Sequence, residues 1–72
     1  MTMKTTMYGL KITLDTDMGD GATGCWIEKN GYSASLECLD ATGALQDNND
    51  RELPIPASTI AKIRRWAEQN GY

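Results

Sequence analysis

The chain contains no histidine. That removes Ser–His and Cys–His nucleophilic pairs, and with them the commonest metal ligand. It has two cysteines, too few for a closed zinc site within one chain. No stretch approaches the ~20 apolar residues of a membrane-spanning helix. The opening Met1-Thr-Met-Lys-Thr-Thr-Met-Tyr8 holds one lysine and no apolar run, so no secretory signal is read there. Internal repeats and low-complexity tracts are also missing. These absences predict a cytoplasmic protein that is not an enzyme, needs no cofactor and has no membrane partner.

The chain has 72 residues, the size of one domain spanning 1–72. For its mass of 7.9 kDa, scaling laws give a folded surface of about 4,400 Å² against about 11,500 Å² for the extended chain. Roughly 60% burial leaves a thin core, from which a deep water-excluding pocket is hard to build. Association with itself or with a partner would add stability. Charge is uneven. Residues 1–53 carry four basic and nine acidic side chains, a balance of −5, whereas residues 54–72 carry three basic and one acidic, a balance of +2.

The most informative stretch is Gly24-Cys-Trp-Ile-Glu-Lys-Asn-Gly-Tyr-Ser-Ala-Ser-Leu-Glu-Cys38. Asn30-Gly31 between two strand-forming runs is the signature of a two-residue type I′ hairpin turn. The turn sets a register: Lys29 opposite Tyr32, Glu28 opposite Ser33, Ile27 opposite Ala34, Trp26 opposite Ser35, Cys25 opposite Leu36. One face then holds Cys25, Ile27, Tyr32, Ala34, Leu36 and Cys38, the other Trp26, Glu28, Ser33, Ser35 and Glu37. In that register the two cysteines are diagonal neighbours, ~7–8 Å apart at Cβ, too far for a disulfide. Both are expected to be reduced, buried thiols.

Thr5–Asp15 reads as one strand, with Tyr8, Leu10, Ile12 and Leu14 facing the core. A Gly/Asp-rich loop follows over 15–23. Asp40-Ala-Thr-Gly43 is a second turn signal, Gly43–Gln46 a short possible fourth strand, and Asp47–Glu52 a loop or mobile tip. Leu53-Pro-Ile-Pro56 must be extended or turning. A helix is predicted over 57–70, with Pro56 in its first turn or Ser58 as N-cap, and Gly71 past its end. Ile60, Ile63, Trp66 and Ala67 share an arc of about 120°, a buried stripe, with Lys62, Arg65 and Gln69 opposite and Arg64 on the flank. The expected fold is α+β: an antiparallel meander of three to four strands packed on one C-terminal helix.

Gly19-Asp-Gly-Ala-Thr-Gly24 matches G-x-G-x-x-G, but a dinucleotide-binding turn must be followed by a helix N-terminus, and here a strand follows. Asp15, Asp17 and Asp20 suggest a cation loop. An EF-hand begun at Asp15 would need an oxygen ligand, Gly and Glu where Gly19, Asp20 and Trp26 stand, so only an irregular site is compatible. The bland reading is a turn of aspartates bonded to nearby amides. Lys62, Arg64 and Arg65 offer a nucleic-acid reading, with the helix on phosphates; the acidic balance, pI ≈ 4.6, argues against it. Trp26 is an aromatic on an otherwise polar strand face, the composition of a binding hot spot. Its alternative is burial beneath Leu45, Leu53 and Ile55. The expectation is a non-catalytic protein-binding module, an inhibitor or regulator of a larger partner, contacting it through Trp26, Glu28, Ser35 and Glu37. Homodimerisation through the same face or a free strand edge is a variant.

Overall fold

The computed structural model describes residues 2–17, 19 and 21–72, with residues 40–42 through their backbone alone. Among the described residues, six strands form one antiparallel sheet in chain order: β1 Thr2–Met7, β2 Leu10–Asp15, β3 Gly24–Lys29, β4 Tyr32–Ser35, β5 Ala44–Gln46 and β6 Glu52–Pro54. Helix α1, Leu36–Thr42, lies between β4 and β5, and α2, Ala57–Gln69, closes the chain. The α+β class and the C-terminal helix are as expected. The strand count is six rather than three to four, and α1 is an additional helix.

The Asn30-Gly31 turn is present, with φ of 50° and 87°. The pairs Lys29↔Tyr32, Glu28↔Ser33, Ile27↔Ala34 and Trp26↔Ser35 hold. The register stops there, because the chain turns into α1 at Leu36 instead of continuing as strand. Ser35 is the N-cap: its Oγ accepts a hydrogen bond from the Cys38 amide at 3.3 Å, satisfying one orphan donor of the first turn. Gly43 ends the helix at φ 67°, donating its N–H to the Leu39 carbonyl at 2.9 Å, a left-handed cap that suits glycine. Leu36 and Leu39, three residues apart, are both buried. Cys38 is therefore exposed on α1, not buried in a strand; Cys25 is buried, and neither forms a disulfide.

The predicted strand over 5–15 is two strands. Tyr8 and Gly9 adopt φ of 54° and 76°, a second type I′ turn that pairs Met7 with Leu10. Leu10, Ile12 and Leu14 are buried as expected, but Tyr8 is 58% exposed at the turn rather than in the core. The β5–β6 connection is built on Asp47. One of its carboxylate oxygens accepts the amides of Asn49 and Arg51, each at 2.9 Å.

α2 begins after Pro56 with no side-chain cap. It ends in a Schellman arrangement: Tyr72 N–H donates to the Ala67 carbonyl at 2.9 Å and Gly71 N–H to Glu68 at 3.4 Å. Ile63 and Ala67 are buried, Ile60 and Trp66 half-buried, and Lys62, Arg65 and Gln69 exposed. Neither helix is long and apolar enough to cross a membrane.

One core cluster holds Leu10, Ile12, Leu14, Cys25 and Ile27 from the sheet together with Leu36, Leu39, Ile63 and Ala67 from both helices. Both helices thus pack on one face of the sheet. The total accessible surface, 4670 Å², is close to the scaling value.

Candidate functional site

The open face is assembled by register. Antiparallel pairing sets Lys4 against Thr13, Thr13 against Trp26 and Trp26 against Ser35, one row across four strands. The next row runs Thr6, Lys11, Glu28, Ser33, Gln46, Glu52. Alternation places every one of these side chains opposite the core. Lys11 and Glu28 lie directly across from one another, a complementary pair of the kind that steadies a strand pairing by about 0.2–1 kcal/mol.

Trp26 stands near the middle of this face and is 39% exposed. The Asn30-Gly31 turn sets what stands beside it. Its closing pair, Lys29 and Tyr32, is hydrogen-bonded, so alternation makes Trp26 and Ser35 a non-hydrogen-bonded pair, the closer kind. The nearest cross-strand side chain on that side is therefore one of the smallest. The residues that the alternative reading sets over the ring lie elsewhere: Leu45 and Ile55 belong to the core cluster, and Leu53 packs against it.

Of the four residues expected to form the contact patch, the sheet brings Trp26, Glu28 and Ser35 together. Glu37 does not join them by strand alternation, because it lies in the first turn of α1. There its carboxylate sits at the positive end of the helix. Ser35 is half-buried, with its hydroxyl oxygen occupied as the cap of α1. The residues that sequence reasoning missed are Thr13, Lys11 and Lys4. Thr13 and Lys11 alternate with Ile12 and Leu14, which places them outward. What could not be read was which strand β2 lies beside.

Of the basic side chains of α2, Arg64 and Arg65 line one groove together with Ile60, Ala61 and Glu68. Lys62 and Arg65 are exposed, and the Lys62 Nζ sits 5.1 Å from the centroid of the Tyr8 ring, within cation–π range. Arg64 is half-buried. Burial pushes the Cys25 thiol above its ordinary pKa, and the Arg64 charge partly offsets this.

The glycine-rich loop leads into β3, not a helix, so it has no N-terminal dipole for a pyrophosphate. Of the proposed cation ligands, Asp20 lies outside the described residues. The Asp15 carboxylate accepts the Asp17 amide at 3.0 Å, an Asx-type turn. Among the described residues no group of three His, Cys, Asp or Glu side chains is placed to hold a metal ion. At the Tyr8 end, a cleft of about 240 Å³ is lined by Tyr8, Leu10, Leu53, Ile55, two prolines, Thr59 and Lys29; no carboxylate or thiol faces it. No protein-family model matches the chain, and neither a curated protein nor a solved structure matches it.

Proposed function

We propose that this chain is a non-catalytic protein-binding module that seats the open sheet face, centred on Trp26, against a larger protein and so inhibits or regulates it. The observation that carries the reading is the partial exposure of Trp26, a large aromatic residue, amid polar and charged side chains on the sheet face opposite both helices. Tryptophan is strongly over-represented among residues that dominate binding energy, and such residues sit near the centre of a contact patch with polar neighbours around them. Here the neighbours are Thr13, Ser35, Glu28 and Lys11. Lysine and glutamate side by side would orient a partner more than hold it.

The size of the face bounds the affinity class. Six strands about 4.8 Å apart, at most six residues long, give a projected area of roughly 24 Å by 18 Å. That is about half the ~800 Å² per partner of a standard stable interface. The expected complex is transient unless the flanking loops join the contact.

The test is paired capture from extract of the native cell, with immobilised wild-type chain and the Trp26→Thr variant. Threonine keeps strand propensity while removing the ring. The reading expects a protein retained by wild type and depleted at least tenfold by the variant. Equal recovery on both would overturn it.

A further inference from the structure

The two edges of the sheet are built differently. β6 is three residues long and ends in Pro54, and short strands and proline are standard ways to blunt an edge. β1 is six residues, Thr-Met-Lys-Thr-Thr-Met, without proline or glycine. Each of its residues pairs with one residue of β2 in unbroken register, so no bulge twists it away. Its extensive contacts are with β2 alone. It also holds no carboxylate, in a chain whose net charge is −3.

The Tyr8-Gly9 turn determines which backbone groups face outward. Its closing bond runs from the Leu10 N–H to the Met7 carbonyl, so Met7, Thr5 and Met3 are the residues hydrogen-bonded to β2. The N–H and C=O groups of Thr2, Lys4 and Thr6 therefore point off the edge.

We propose that this edge pairs antiparallel with β1 of a second copy of the chain, continuing the sheet across a two-fold axis at Thr5. Two-fold pairing through residues 2, 4 and 6 allows only a few registers. Centring on Lys4 sets two ammonium groups directly opposite, which is destabilising. Centring on Met3 leaves only residues 2–4 of the described strand paired among themselves. Centring on Thr5 pairs residues 3–7: Lys4 lies opposite the partner's Thr6, Thr6 opposite the partner's Lys4, and Met3 opposite the partner's Met7. Both lysine–threonine pairs are hydrogen-bonded, each exchanging two bonds. Met3 and Met7, half-buried against the core, meet on the helix side and extend the apolar layer across the junction. Methionine adapts readily to such a seam. The outer faces of both copies then lie on one continuous sheet, with the two Trp26 positions five strand spacings, roughly 24 Å, apart.

Sedimentation from micromolar to millimolar concentration tests this, using wild type, Lys4→Pro and two cysteine variants made on a Cys38→Ser background. The expected result is an apparent mass that doubles with concentration. Lys4→Pro, which removes an N–H that β2 does not use, should be monomeric throughout with unchanged circular dichroism. Thr5→Cys should form a covalent dimer under mild oxidant, because non-hydrogen-bonded partners have Cα atoms about 4.5 Å apart, within disulfide range. Thr6→Cys, facing the partner's Lys4, should not. If Lys4→Pro fails to fold, the cysteine pair decides. A wild-type chain that stays monomeric, its edge left for an extended segment of another protein, overturns the proposal. So does equal cross-linking through positions 5 and 6, or a dimer that a folded Lys4→Pro variant retains.

Discussion

Ile27 and Trp26 are neighbours in the same strand and differ in everything that follows from pointing to opposite faces. Ile27 is fully buried among side chains from the sheet and both helices, whereas Trp26 is 39% exposed beside serine and threonine. The inner face is assembled to hold the fold together. The outer face is polar apart from Trp26. A thin-cored domain commits nearly all of its aliphatic side chains to one side of its sheet, and Trp26 is the large apolar residue left on the other.

The largest expected effect is on the inner side. Ile27→Ala should cost about 3 kcal/mol, a core truncation that the sheet cannot close around. At this chain length that lowers Tm by roughly 12–24 °C, which calorimetry would show. A shift of a few degrees would mean that the two faces are less distinct than their burial suggests.

Ser35 lies at the boundary of the two faces, and its role can be separated from theirs. Ser35→Ala removes the cap of α1 and should cost about 1 kcal/mol in urea unfolding, while Ser33→Ala, two residues back on the open face, should stay within about 0.5 kcal/mol. Equal effects would deny the cap its role.

The smallest effect concerns the thiols. Iodoacetamide should label Cys38 in the native protein and reach Cys25 only when the chain opens. Burial raises the Cys25 pKa, so the native state keeps the proton that the unfolded state loses. Its stabilising contribution is complete below the ordinary thiol pKa and disappears as pH rises through the raised one. Unfolding free energy should therefore fall more steeply above about pH 9 for wild type than for Cys25→Ala. Parallel pH profiles would place Cys25 in contact with water.

The inner face was largely legible in the sequence, and the outer face half so, for one physical reason. Asn30-Gly31 demands positive φ at both positions, and this turn alone determines which residues of β3 and β4 face together. Tyr8-Gly9 forms the same turn, but tyrosine does not favour a left-handed backbone, and Tyr8 continues the alternation of Leu10, Ile12 and Leu14 straight through it. Leu36 similarly extends the period of the hairpin into what is really a helix. There the capping chemistry of Ser35 and Gly43 outweighs periodicity. Trp26, Glu28 and Ser35 could be placed because one tight turn joins their strands. Thr13 and Lys11 could not, because residues 16–23 between β2 and β3 have no turn chemistry that fixes a register. Glu37 was misplaced along with the helix that carries it.

The division between the faces is tested most directly by the unfolding free energy in urea of Trp26→Thr, measured beside that of Ile27→Ala. The expected loss is below about 1 kcal/mol for Trp26 against about 3 kcal/mol for its buried neighbour. Equal losses would show that the ring is part of what holds the sheet together, and the open face would no longer be available as a docking surface.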